Sequence, residues 1–304
     1  MYLGSTHPRQ LLSISVSSGS AGLSFRGRAR RAVSGKDPRA RSEMLGMPAE
    51  LALAPPAIVR VDAPYERLEP LARFPLVGPA DIKPGTIWLV VVPASPNGWP
   101  TAADWVLWLR SAYASITIGL LLPQDAAPLV PETTSAAGAP RVRAVLRHGE
   151  PIAPTLRDRL TRPVGLGAEV TDWLGLRGLP LPPRVAAPIR ALFDDGGRTM
   201  ARALEPLSLS ERTLRRYFAR RGLPPPREWH AAARALRAVL CLQREPTASL
   251  LDISFRTGYG DHSSLSRQIK RLFNLRPGEI RRTLGWEWVL ERWVRAWDTA
   301  PRGL

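Results

Sequence analysis

The sequence predicts two folded domains in tandem, a small α/β unit followed by an all-α unit. Three observations predict this. Between residues 48 and 182, short β-branched or apolar runs flank one helical pattern. From residue 183 onward, apolar residues recur at helical spacing behind Ser, Thr and Asp residues that suit helix N-caps. Between the two lies RGLPLPPR at 177–184, a Pro- and Gly-rich stretch that reads as a linker. A chain of 304 residues is long enough for two separate cores.

Residues 1–47 read as a disordered basic tail, rich in Ser, Gly and Arg and poor in large apolar groups. Met44 and Met47 stand as alternative starts, which would make the tail a misassigned extension. In the α/β unit, residues 48–182, the runs Ala57–Val61, Thr86–Val92, Ser115–Leu122 and Arg141–Leu146 read as buried strands. Between the second and third, TAADWVLWLRSAYA carries Trp105, Trp108, Leu109 and Ala112 on one helical stripe, with Asp104 in the first turn. Strand, helix and strand at this spacing predict a βαβ unit in a small parallel sheet of four or five strands. The segment resembles a receiver or flavodoxin-like module. It lacks that module's acidic cluster, since Asp62 has no acidic neighbour, so no phosphoryl chemistry is expected. Dimerisation, partner binding, sensing of an unknown ligand and a plain scaffold role all stay open for it. Residues 123–140 read as a Pro/Ala/Thr-rich loop.

The all-α unit, residues 183–284, contains two similar halves. A helix over Arg184–Phe193 leads in, with Val185, Ile189 and Leu192 inward. Thr199 then caps MARALEP, the chain turns through Pro206–Leu209, and Ser210 caps ERTLRRYFARRG. In that helix Leu214 and Phe218 form the inner stripe, Arg212, Arg215 and Arg216 project outward, and Gly222 stops it. A helix from about Glu228 to Gln243, carrying Trp229, Ala233, Leu236, Leu240 and Cys241, serves as a rigid spacer. In the second half, Ser249 caps a helix from Leu250 to about Thr257, Gly258 supplies a left-handed turn, and Asp261 caps a helix with Leu265, Ile269 and Leu272 inward. Its other face carries His262, Ser263, Ser266, Arg267 and Lys270. A polar helix face with arginine and lysine is what a recognition helix offers to a DNA major groove.

Charge points the same way. The formal net charge is +17, supplied almost wholly by arginine. Residues 194–304 carry 21 basic and 12 acidic side chains, against 14 and 12 in residues 47–193. A basic C-terminal third suits a polyanionic partner, although a solvated arginine-rich surface would look the same by charge alone. Cys241 is the sole cysteine, so no intrachain disulfide forms, and the four histidines are too scattered for a zinc site. No apolar run approaches the ~20 residues of a membrane span. A cytoplasmic protein without cofactor or metal is expected.

The two halves together resemble the AraC/XylS family of bacterial transcription regulators over about residues 184–283. The matching residues are Ala203, Leu204, Ser210, Leu214, Arg216, Phe218 and Gly222 in the first half. In the second they are Ile253, Phe255, Gly258, Tyr259, Ser264, Arg267, Lys270, Phe273, Pro277 and Arg281. The resemblance implies double-stranded DNA as partner. It places the recognition positions on Arg212, Arg215 and Arg216 and on His262, Ser263, Ser266 and Arg267. Leu265 and Ile269 stand where the family usually has aromatics, Asn274 where it has Gly, and Ser254 where it has Ala. The family's usual sensor is a β-barrel, which the strand-helix-strand pattern here does not match.

Residues 285–304 place Trp286, Val289, Leu290, Trp293, Val294 and Trp297 on one face of a helix. Two readings stand. The helix packs on its own chain, or it forms a homodimer or RNA polymerase contact. Two rival functions also stand. One is a protein-interaction module built on a helix-turn-helix pair that has lost DNA. The other is an enzyme in the α/β unit, for which no nucleophile elbow, phosphate loop or metalloprotease motif is present.

Overall fold

A computed structural model describes residues 57–71, 83–93, 98–124, 142–195 and 199–298. The basic tail and most of the 123–140 loop lie outside these residues.

The N-terminal unit is a five-stranded sheet in the order β2-β1-β3-β4-β5. The strands are β1 (Ile58–Val61), β2 (Glu69–Pro70), β3 (Ile87–Val91), β4 (Thr117–Leu122) and β5 (Val145–Arg147). The expected βαβ unit is present. Strand β3 runs parallel to β4, Ile87 opposite Thr117, with α1 (Gly98–Ala112) between them in sequence. Strand β5 is also parallel to β4. The sheet is nevertheless mixed, because β1 pairs antiparallel with both β2 and β3. Only seven residues join β1 to β2, and a parallel pair needs a crossover of about a dozen or more. The all-parallel, receiver- or flavodoxin-like sheet expected from sequence is therefore not what forms.

Both faces of the sheet are covered, as the continuous apolar run of β3 requires. On one face Trp88, Val90, Ile118 and Leu120 pack against Trp105, Trp108 and Leu109 of α1. Helix α1 starts three residues before the predicted segment. Asp104 is thus inside it rather than in its first turn, and Ala112 is exposed. On the other face Val61, Ile87, Leu89, Leu121 and Leu146 pack against Leu156 and Leu160 of α2 (Ile152–Thr161) and against Leu284 from the far end of the chain.

Helices α2 and α3 (Leu166–Leu176) were not anticipated. Helix α3 belongs to the helical core, where Leu166, Val170, Trp173 and Leu174 join Val185, Ile189, Leu192 and Phe193 of α4 (Pro183–Asp195). The stretch read as a linker is a short tie between these two packed helices. Leu179 and Leu181 within it lean on the same core.

The remaining helices are α5 (Met200–Leu204), a 3₁₀ turn at Glu205–Leu207, α6 (Glu211–Ala219), α7 (Pro226–Arg244), α8 (Leu250–Arg256), α9 (His262–Phe273), α10 (Pro277–Arg282) and α11 (Glu287–Asp298); all but α10 follow the predicted order closely. Trp229 of α7 is fully buried at their centre. Its ring meets Phe193 of α4, Phe218 of α6, and Trp293 and Trp297 of α11 edge-on, at centroid distances of 6.5, 6.1, 4.9 and 5.6 Å. Trp286, Val289, Leu290, Trp293 and Val294 are all buried. The C-terminal stripe is thus largely a part of this chain's own core, with Trp297 half-buried at its end.

Candidate nucleic-acid interface

Each half of the helical unit builds its outer helix in the same way. Thr199 accepts a hydrogen bond from the Arg202 amide at the start of α5, and Ser249 accepts one from the Asp252 amide at the start of α8. Ser210 Oγ accepts from the Thr213 amide at 3.2 Å, and Asp261 accepts from the Ser264 amide at 2.8 Å. These caps satisfy amides that a helix N-terminus leaves without partners. The Asp261 carboxyl is held below its usual range by hydrogen bonds from Ser264, its hydroxyl first and then its amide. The turns differ. In the second half Gly258 adopts φ 78°, where a Cβ would be strained; in the first, Ser208 takes φ 51° without a glycine.

Beneath the outer helices, Leu214 and Phe218 of α6 and Leu265 and Ile269 of α9 are fully buried. The smaller Leu265 and Ile269 still close their core. Asn274 takes the left-handed position at φ 53° and ends α9. Ser254 is buried with its hydroxyl donated to the Leu251 carbonyl at 2.6 Å. Phe255, one of the matched residues, is 59% exposed and contributes nothing to this core.

The candidate contact residues separate into two positions. At ~100° per residue, Arg212 and Arg216 sit about 40° apart on the side of α6 opposite Leu214 and Phe218. Both are exposed, and no ion pair engages either among the described residues. Arg215 lies on the flank and is occupied, its guanidinium 3.0 Å from Glu211, which also holds Arg227 of α7 at 3.1 Å. Glu211 is pulled below its usual range, mainly by the Arg215 hydrogen bond. An exposed pair of this kind is worth only ~0.2–1 kcal/mol, so a phosphate could displace it. Glu211 was missed from sequence, although its four-residue spacing from Arg215 was a readable signal.

On α9, Ser263 and Arg267 occupy the outward position and are exposed. His262 is exposed near the N-terminus, whereas Ser266 is half-buried on the flank and donates its hydroxyl to the His262 carbonyl. Lys270 is exposed and donates to Asn274 Oδ1 at 2.6 Å. Arg271 pairs with Glu228 at 3.0 Å and ties α9 to the spacer α7. The structure therefore gathers the eight sequence-predicted residues on two helices, with Arg212 and Arg216 on one and Ser263 and Arg267 on the other facing outward.

Two other arginines in this unit are structural. Arg281 donates to the Pro246 and Ala248 carbonyls and pins the turn between α7 and α8. Arg234 lies over the Tyr259 ring, 4.2 Å from its centroid. Among the described residues, no group of three or more His, Cys, Asp or Glu residues is placed to hold a metal ion. No described helix is long and apolar enough to cross a membrane.

Residues 204–283 match a family model described as a helix-turn-helix domain, which covers both outer helices, the spacer and both turns. No curated protein matches the chain, and no solved structure does. The matched region supports an AraC-like helix-turn-helix domain, and it points to a regulator that binds DNA rather than to an enzyme.

Proposed function

We propose that this chain is a sequence-specific DNA-binding transcription regulator that reads consecutive major grooves with α6 and α9. One observation carries the reading: two outer helices, built on the same cap-and-stripe pattern, each expose a polar face with arginine opposite a fully buried apolar stripe. Helix α7, 19 residues long, is a rod of ~28 Å between them. Recognition helices in successive grooves on one DNA face lie ~34 Å apart.

In this mechanism Arg212, Arg216 and Arg267 are the candidates for bidentate contacts to guanine. Ser263 offers a shorter contact. Lys270, His262 and Ser266 serve phosphates and fix the register on the duplex. Arg215 reaches DNA only by giving up Glu211.

The test is selection of duplexes from a random pool by the full chain, followed by gel shifts over a salt series. Enrichment of a bipartite site and a steep salt slope, ~0.9 per neutralised phosphate, are expected. Arg216→Ala and Arg267→Ala should each weaken binding to the selected site by about 1–3 kcal/mol, with far less effect on random DNA. Arg215→Ala should cost less. A flat salt response with no enriched sequence would sink the reading.

A further inference from the structure

The sheet unit and the second half of the helical unit meet at the segment between α10 and α11. The Leu284 amide donates to Tyr65 Oη at 2.6 Å, and that hydroxyl donates to the Gly85 carbonyl at 2.9 Å. Thr117, the first residue of β4, donates to Glu287 at 3.0 Å. Arg143 pairs with Glu287 at 3.0 Å and with Glu169 of α3, and its guanidinium lies 5.0 Å from the centre of the Trp286 ring. Glu287 and Arg143 are almost wholly buried. The fit is also tight sterically. A Cβ on Gly285 would stand 2.3 Å from Thr117 Oγ1, and one on Gly85 2.7 Å from Thr283.

Glu287 is the first residue of α11. Five residues along the same helix, Arg292 donates to the Phe273 carbonyl at 2.6 Å. Phe273 is the last residue of α9, and its orphan carbonyl is one that a helix C-terminus cannot satisfy internally. One rigid helix thus holds the sheet at its start and the end of the second outer helix on its second turn. Helix α6 makes no hydrogen bond or ion pair to α11 or to the sheet among the described residues, and is linked to α11 by ring contacts through Trp229, which meets Phe218 as well as Trp293 and Trp297.

We propose that α11 is a coupling rod through which the sheet unit sets the position of α9, so that events on the sheet unit alter engagement by the second outer helix, which α11 holds by a direct hydrogen bond, more than engagement by the first. The buried ion pair anchors the start of the rod to the sheet unit. Opening it would strand a charge, so the junction is either seated or released and not continuously adjustable.

The positional claim concerns the fold and stands without DNA; its effect on DNA rests on the proposed regulator function. Two variants of the full chain test it at opposite ends of the rod. Glu287→Gln loosens the sheet end. Arg292→Met removes the donor at the α9 end, keeps the aliphatic stem, and leaves the buried ion pair intact should Glu287→Gln fail to fold. Hydrogen exchange of the Leu265–Phe273 amides should speed up by about tenfold or more in each, from losing a charged hydrogen bond. The Leu214–Ala219 amides should stay within about twofold. On the selected DNA site, footprint protection should fade more at one half-site than at the other. Equal acceleration in both outer helices, or in neither, would overturn the proposal whatever the DNA result. Wild-type chain that binds no DNA would overturn the regulator function but leave the exchange result to decide the coupling.

Discussion

Replacing Trp229 by alanine should strongly destabilise the helical unit, and the size of the loss follows from its surroundings. The side chain is fully buried and touches aromatic rings from three other helices, α4, α6 and α11. Removing a buried Trp to Ala costs about 3–5 kcal/mol in lost transfer energy and residual cavity. Whole domains are stable by only about 5–15 kcal/mol, so the variant should lose a large share of its stability. Phenylalanine should be far better tolerated, costing under about 2 kcal/mol. It keeps a ring in the cavity, and it removes an indole N–H that has no acceptor among the described residues. Urea unfolding followed by far-UV circular dichroism is the assay, because ten tryptophans blur any fluorescence signal. A double-mutant cycle with Phe218→Leu should return a coupling of about 0.5–1.5 kcal/mol, the extra worth of an edge-on aromatic pair. A Trp229→Ala cost below about 1 kcal/mol, or strict additivity with Phe218→Leu, would refute the claim that this ring holds the first outer helix in place.

Three further outcomes are expected. Ser210→Ala should cost about 1 kcal/mol and raise hydrogen exchange at the Thr213 amide, which Ser210 now caps; an unchanged Thr213 rate would show the cap to be idle. Gly285→Ala should destabilise by about 1–2 kcal/mol from its left-handed backbone alone, at φ 84°. The collision with Thr117 Oγ1 adds to this, so adding Thr117→Ala should recover only that steric part in thermal unfolding. Glu291 supplies the pH test: burial pushes its carboxyl up, but hydrogen bonds from Arg177 and Arg295 outweigh this and leave it below the usual range. Since the folded value is the lower one, the stabilisation is complete above the ordinary glutamate pKa of ~4.3 and is lost as pH falls through the folded value. Urea midpoints of wild type and Glu291→Gln should therefore lie well apart at pH 7 and converge in strong acid, and a pH-independent gap would count against it.

The sequence by itself determined whatever depends on local chemistry. The caps Thr199, Ser210, Ser249 and Asp261, the stripes Leu214/Phe218 and Leu265/Ile269, and the left-handed site Gly258 all stand where their spacing placed them, and Asn274 is left-handed at the position where the resemblance implied a glycine. Each is set within one or two helical turns, and that is the range over which side-chain type dictates backbone conformation. Four of the five strands were legible for the same reason, with β2 missed, and so was the parallel sense of β3 and β4, but not the reversal of β1. A short apolar run such as IVRV reads alike in either sense, and strand sense follows from connection length and from what covers the sheet. Helices α2 and α3 were lost among prolines and glycines whose local signal opposes helix, and long-range burial of Leu156, Leu160, Val170 and Trp173 overrides that signal.

Only the tertiary structure decided which charges remain available. Arg212, Arg215 and Arg216 look equivalent as letters. In space, Glu211 engages Arg215, while the other two face outward without an ion pair among the described residues. Arg281 looks like one more basic contact, yet it ties down two backbone carbonyls. The tryptophan stripe of α11 looked as ready for a partner as for a core, and folding spends it on Trp229. Nor does any local pattern bring Thr117 and Arg143 to Glu287, more than 140 residues away. Periodicity reports which face of an element is apolar, whereas the identity of what meets that face is fixed only when distant segments pack together.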